Sequence, residues 1–193
     1  MYRIEGFTII NKVVVGITGM PGAGKGVFRR TIQRLGYPFV IMGDEVREEV
    51  KRRELKSTPE NLAETMLNLR KIEGSAAIAK RCILKLKNQP RQVVFIDGIR
   101  SLNEVEEFKK HFRMFILITI HASPKTRYQR LVRRRRSDDP TDWDTFMERD
   151  LRELGIGMGD VISVADYMIV NEGTIRQLKQ KTLQFIKKVL EDE

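Results

Sequence analysis

Gly19-Met20-Pro21-Gly22-Ala23-Gly24-Lys25-Gly26 is the stretch that decides how this chain reads. It follows an apolar run, Val13 to Thr18, and precedes a helix-like segment from Val27 to Leu35. Strand, glycine-rich loop and helix in that order make a phosphate-binding loop. The glycines let the backbone curl so that successive N–H groups converge on an anion. The helix that follows adds its positive dipole end. Lys25 supplies a mobile cation for the outer phosphates of a nucleoside triphosphate. The expected ATP contacts are therefore Gly19, Met20, Pro21, Gly22, Ala23, Gly24, Lys25, Gly26 and Val27. The usual pattern places Ser or Thr after the lysine, where the hydroxyl ligates magnesium. Here Gly26 stands there and Val27 follows, and neither side chain ligates a metal.

Working outward, 193 residues suffice for one domain with a substantial core. A hydrophobic share of 41% and a charged share of 32% read as soluble and globular. The lone Cys82 excludes an internal disulfide framework and points to a reducing, cytoplasmic setting. No apolar run approaches the ~20 residues that span a bilayer, so no membrane partner is expected. Residues Met1 to Thr8 lack the basic-then-apolar layout of a signal peptide, and residues 1–11 receive no role. A net charge of +10 and a sequence pI of about 9.9 fit two kinds of partner, nucleic acid or small polyanions such as nucleotides.

The chain alternates strand-like and helix-like segments without repeats. Short apolar, β-branched runs at 12–18, 38–42, 92–97, 114–120 and 167–170 read as buried parallel strands. Leu62, Thr65, Met66, Leu69, Ile72 and Glu73 fall at three- and four-residue spacings, which puts most of the apolar members on one helix face. Ser57-Thr58-Pro59 suits the start of that helix. A last helix, about 174–190, is expected to bury Ile175, Leu178, Leu183, Ile186 and Leu190. Five strands with helical crossovers imply an α/β fold, three layers α/β/α around a five-stranded parallel sheet. Ligands of such folds sit at the carboxyl ends of the strands, where the glycine loop falls.

Gly43-Asp44-Glu45-Val46-Arg47 follows the second strand. Asp44 is placed to cap a helix beginning there. Arg47 belongs either to that helix's solvent face or to the cleft, where it would hold an acceptor phosphate. Asp97-Gly98-Ile99-Arg100 closes the third strand. An aspartate at the end of an apolar strand beside a phosphate loop suits Mg2+, held through water; the plain alternative is an Asp-Gly turn. Ser123-Pro124 opens a helix that carries Arg127, Arg130 and Arg134 near one face and runs into Arg133-Arg134-Arg135-Arg136. Successive arginines repel one another unless polyanions or carboxylates neutralise them. They suit a solvated helix end, or a hinged lid that surrounds a moving phosphoryl group with positive charge and excludes water. Asn171-Glu172-Gly173 turns the last strand into the last helix. Gly155, Gly157 and Gly159 read as a hinge or a loop. His111 and His121 show no metal-ligand spacing with Cys82 or each other.

Gly-x-Pro-Gly-x-Gly-Lys-Gly resembles the loop of adenylate kinases and related nucleoside monophosphate kinases, which carry Thr where this chain has Val27. Gly43-Asp44-x-x-Arg47 is similar to their Gly-Asp-x-x-Arg, which implies acceptor binding by Asp44 and Arg47. Asp97-Gly98-Ile99-Arg100 is similar to their Asp-Gly-Phe-Pro-Arg, one residue shorter and without the proline; Arg100 becomes a shifted acceptor-phosphate ligand. The glutamine that reads adenine four residues past that arginine has no counterpart, since Glu104 stands there. Arg130 and Arg134 match the Arg-x-x-x-Arg that leads into the family's lid. Arg136, Asp138, Asp139 and Arg149 match the group leading out of it, with the lid domain between them absent. In nucleotide kinases, dephospho-coenzyme A kinases included, the strand–turn–helix at Asn171 and Gly173 packs against the donor adenine.

With motifs in this order from Val13 to the last helix, the chain most resembles the archaeal adenylate-kinase-related P-loop proteins. The resemblance implies a nucleotide-kinase-like P-loop NTPase over 1–193, with a helical acceptor-binding insertion at about 43–88 and a short arginine-rich lid at about 133–150. It implies transfer of the ATP γ-phosphoryl group to a small acceptor, a nucleoside monophosphate or similar metabolite. Lys25, Arg130, Arg134, Arg136 and Arg149 would be catalytic, Asp44, Arg47 and Arg100 would bind the acceptor, and Asp97 would position magnesium through water. Two other classes fit the same residues: a regulatory ATPase without a small acceptor, and an RNA-associated NTP-binding protein. The lack of aromatic residues within the arginine block argues against a platform for stacking single-stranded bases.

Overall fold

The computed structural model describes residues 3–4, 7–136 and 139–191. A two-stranded antiparallel ribbon, β1 (Arg3–Ile4) and β2 (Phe7–Thr8), precedes the main sheet. The apolar run before the glycine loop becomes β3 (Ile10–Thr18). It is the centre of an all-parallel, five-stranded sheet with β4 (Phe39–Ile41), β5 (Val93–Asp97), β6 (Phe112–His121) and β7 (Tyr167–Val170), ordered β4-β5-β3-β6-β7. All five expected strands are present, with ends moved by at most two residues.

Successive side chains of β3 point to opposite faces. Val13, Val15 and Ile17 join a core covered by α1 (Lys25–Arg34) and α9 (Ile175–Glu191), where Phe28, Ile32, Leu178 and Phe185 meet them. Val14 faces the other layer. That layer is built from α2 (Met42–Arg52), α3 (Pro59–Glu73), α4 (Ala77–Lys87), α5 (Leu102–His111) and the short α8 (Met158–Ser163). At Gly16 of β3 a Cβ would lie 2.5 Å from Ile99 Cδ1 and 2.7 Å from Phe115 Cζ, so those side chains would have to move to admit one. Two helices after β6, α6 (Pro124–Arg134) and α7 (Trp143–Ile156), fold back onto the phosphate loop.

Several helix details differ from the sequence pattern. In α9, Leu178, Thr182, Phe185, Ile186 and Val189 face inward, whereas Ile175 and Leu183 are exposed. Leu183 lies five residues from Leu178, about 140° round the helix, so the true stripe passes it by. The Leu190 side chain lies outside the described residues. In α3, Thr65 and Leu69 are buried, but Ile72 is 71% exposed. The glycine-rich segment is not an open loop. Gly155 ends inside α7, Gly157 (φ 109°) turns the corner as a left-handed cap, and Gly159 lies in α8.

Candidate functional site

Helix α1 begins at Lys25, two residues earlier than its apolar pattern suggests. It has no side-chain cap; Val27 and Phe28 donate their N–H groups to the Gly24 carbonyl at 2.9 and 3.2 Å. The N–H groups of Lys25 and Gly26 belong to the first turn and have no intrahelical acceptor. With the helix dipole they present positive potential at the carboxyl end of β3, an arrangement suited to an anion. The loop is held open by glycines at positions that demand them. Gly19 has φ 136°, and a Cβ there would meet the Ile120 carbonyl oxygen at 2.3 Å. Gly24 has φ 116°, and its Cβ would meet Asn171 Nδ2 at 2.4 Å. Lys25 Nζ donates to the carbonyls of Gly19 and Met20, the latter at 3.3 Å. Burial pushes the Lys25 pKa down, opposed in part by the charge of Asp97.

Two buried polar groups brace this loop from behind. Asn171 Nδ2 donates to the Ala23 carbonyl at 2.7 Å, and its backbone N–H donates to His121 at 2.7 Å. Arg127 donates to the Pro21 carbonyl at 3.2 Å and the Ala122 carbonyl at 3.1 Å, and it forms a bidentate pair with Asp150, Nη1 to Oδ1 at 2.8 Å. Its guanidinium also lies 5.0 Å from the centre of the Phe146 ring. Sequence reasoning grouped Arg127 with Arg130 and Arg134 by helical spacing. The structure separates them, because Asp150 of α7 draws Arg127 into the interior. No local signal marks Asp150 as its partner 23 residues away.

In the sheet register Ile17 stands opposite Asp97, which sets that carboxylate beside the start of the loop. Asp97 Oδ2 is 3.6 Å from Arg29 Nη1. Its Oδ1 is buried with no hydrogen-bond partner among the described residues. Burial raises the Asp97 pKa against the pull of Lys25, Arg29 and Arg100. Arg100 Nη1 lies 3.5 Å from Glu153 Oε2 on α7, a carboxylate that sequence reasoning did not single out. Glu104 is fully engaged elsewhere: it accepts from the Arg100 N–H at 2.8 Å and from Arg70 Nη2 at 2.7 Å.

The arginine segment divides into two groups. Arg130 Nη2 donates to the Gly173 carbonyl at 3.2 Å, which takes Arg130 to the turn that follows β7. Beside that turn is a recess of about 180 Å³ lined by Val170, Asn171, Glu172, Gly173, Gln177 and Lys181, among others. Arg134 instead pairs with Asp139, Nε to Oδ2 at 2.9 Å. Arg149 Nη1 lies 3.9 Å from Asp139 Oδ1, and the Arg136 N–H donates to Asp139 at 2.9 Å while its side chain is exposed. Burial alone would raise the Asp139 pKa; the bonds from Arg134 and Arg136 hold it below the usual range. Asp138 lies outside the described residues. Asp44 does not cap α2. The chain runs straight from β4 into the helix, Ile41 takes the cap position, and the Asp44 carboxylate in the first turn bonds Arg47. Lys25, Asp97, Arg100, Glu153 and Arg149 thus share one electrostatic neighbourhood, while Asp44 and Arg47 form their own half-exposed pair.

A parallel sheet with helices on both faces and a glycine-lysine nest at the end of its central strand define a P-loop, nucleotide-binding, kinase-like fold. Residues 18–146 match the family model AAA_17, described as an AAA domain. The UPF0200 protein of Hyperthermus butylicus is 40% identical over 93% of this chain and 96% of its own length. The UPF0200 protein PF1294 of Pyrococcus furiosus is 44% identical over 93% of this chain and 98% of its own length. The chain therefore belongs to the archaeal UPF0200 family, with an AAA_17 domain. Among solved structures, the fold is similar to shikimate kinase from Bacteroides thetaiotaomicron (TM-score 0.58, 18% identity, 93% of this chain and 98% of the other). It is similar also to a gluconokinase from Sinorhizobium meliloti (TM-score 0.55, 15% identity, 96% and 97%).

Proposed function

We propose that this protein is an ATP-dependent phosphotransferase acting on a small acceptor, either a monophosphate or a hydroxylated metabolite. The observation that carries the reading is the convergence of the phosphate nest, Lys25 and the unpartnered Asp97 oxygen at adjoining strand ends. In this reading Lys25 exchanges its contacts with Gly19 and Met20 for the β- and γ-phosphates. The loop amides, from Gly19 to Val27, hold the remaining phosphate oxygens. Arg134, Arg136 and Arg149 approach the transferring group from the α6–α7 side, where they stabilise charge that develops in the transition state. Asn171 and Gly173 border the donor base, and Arg130, bonded to Gly173, serves that end of the donor. Arg100, with Arg47 and Asp44, holds the acceptor. The short lid spans about 133–150, and the acceptor side is the helical stretch at about 43–88.

Magnesium fits these residues in a limited way. The buried, unpaired Asp97 Oδ1 suits a hydrated cation, whereas Gly26 and Val27 offer no hydroxyl. Among the described residues no three His, Cys, Asp or Glu side chains cluster to hold a metal. Phosphate and water oxygens would complete the shell, and the ion would neutralise charge on the β- and γ-phosphates. Among the described residues no helix is long and apolar enough to cross a membrane.

The engagement of Glu104 with Arg70 and Arg100 favours a second reading, a regulatory ATPase without a small acceptor, because no adenine-reading glutamine occupies that position. An RNA-binding face is supported less. Arg127 is buried and Arg134 is paired, so the arginine block is no continuous open stripe. The test is ADP release measured with and without candidate acceptors. Acceleration by an acceptor is the expected result; hydrolysis that no acceptor changes would leave the regulatory reading.

A further inference from the structure

Glu153 has no role in the scheme above, yet its placement is specific. It lies on α7 four residues after Arg149 and three after Asp150. The Arg127–Asp150 pair pins α7 beneath the phosphate loop, which fixes the direction Glu153 takes. Its side chain is 12% exposed, its Oε2 is 3.5 Å from Arg100 Nη1, and that oxygen is buried without a hydrogen-bond partner among the described residues. Two carboxylates therefore act on Lys25, Asp97 from β5 and Glu153 from α7. The charged groups that act on Glu153 are Arg100 from the segment after β5 and Lys25 from the phosphate loop, and Arg149 of its own helix also acts on Lys25.

A buried carboxylate oxygen held by an ion pair at 3.5 Å but by no hydrogen bond gains from a donor that water or a bound ligand brings it. The attacking oxygen of a monophosphate brings none; it is already ionised and is repelled by a carboxylate. A hydroxyl brings the missing hydrogen. We propose that Glu153 Oε2 takes the proton of an acceptor hydroxyl, so that the acceptor is an alcohol rather than a monophosphate. The inference rests on the phosphotransferase reading. As the acceptor oxygen bonds the γ-phosphorus, the bond from that phosphorus to the β,γ-bridging oxygen breaks. ADP leaves with the electron pair. The hydroxyl proton passes to Glu153 and then to solvent, so the products are a phosphate ester, ADP and one proton. Arg100 keeps the carboxylate in position.

The test uses the full chain with ATP and magnesium, supplied in turn with water alone, a set of polyols and hydroxy acids, and a set of nucleoside monophosphates. Glu153→Gln preserves shape and an acceptor for Arg100 but removes the base. The expected result is that alcohols accelerate ADP release. In the Gln variant kcat falls by about 100-fold or more, for alcohols and for water, while the KM for ATP stays within about twofold. Glu153→Asp, which withdraws the carboxylate by one methylene, gives an intermediate kcat and guards against a misfolded Gln variant. Phosphorylation of monophosphates alone, unchanged in the Gln variant, keeps the transferase reading and overturns this one. A raised KM with kcat retained makes Glu153 a positioning residue for Arg100 and also overturns it. A larger kcat loss in Asp44→Asn than in Glu153→Gln moves the role to Asp44. ADP release that neither class of acceptor accelerates removes the transferase reading and this inference together.

Discussion

Asp150→Asn is the perturbation whose cost the structure defines best. Arg127 and Asp150 have side chains only 4% and 8% exposed, joined by two hydrogen bonds. Removing one charge of such a pair leaves the other uncompensated in the interior, at about 3–5 kcal/mol. For a chain of this length each kcal/mol moves the thermal midpoint by about 2–4 °C, so a fall of about 6–20 °C is expected. Arg127 also holds the Pro21 carbonyl, so the phosphate loop loosens as well. Loss of one charge-assisted bond of about 1.5 kcal/mol corresponds to ATP binding roughly tenfold weaker. Calorimetric unfolding and nucleotide titration read the two effects separately. The double replacement Arg127→Met with Asp150→Leu removes both charges together and recovers most of the lost stability. A midpoint for Asp150→Asn within about 2 °C of the parent protein would refute the account of how the loop is braced.

Lys25→Ala lowers turnover by about 100- to 1,000-fold, the scale of one lost charge-stabilising group, without lowering the thermal midpoint, since burial of the ammonium opposes folding; retained turnover would contradict the loop assignment. Asp97→Asn abolishes turnover yet stabilises the protein at neutral pH. The raised pKa means the folded chain binds the Asp97 proton more tightly than the unfolded chain does. Its contribution is fully present below the ordinary carboxylate value and lost as pH rises through the folded value; a lower midpoint at neutral pH would show this wrong. Glu49 has the opposite sign. Arg52, Arg53 and Arg81 hold its carboxyl at about 2. Its stabilisation is present above the ordinary value of 4.5 and is lost as pH falls towards 2. The gap in thermal midpoint between the parent and Glu49→Gln should close over that interval, and a gap independent of pH would exclude the mechanism.

The sheet was legible because its strands are short β-branched runs between turn residues, whereas the order that puts β3 at its centre came from the structure. The loop itself was legible because Gly19 and Gly24 adopt backbone angles, and sit at distances from Ile120 and Asn171, that exclude side chains. What the sequence hid depends on long-range partners. Arg127, Arg130 and Arg134 share a helical spacing, yet Asp150, Gly173 and Asp139 draw them to three separate places. Glu153 gave no motif; only the packing of α7 brings it to Arg100. The face of α9 was misjudged because Ile175 and Leu183 are apolar but off the stripe that Leu178, Phe185 and Val189 define.

The most direct test of the central claim is to follow the label from ATP carrying radioactive γ-phosphorus, with the full chain, magnesium and the sets of alcohols and monophosphates. The account predicts label on an acceptor, formed in step with ADP and lost in Lys25→Ala. Label recovered solely as inorganic phosphate, at a rate no acceptor changes, would contradict it.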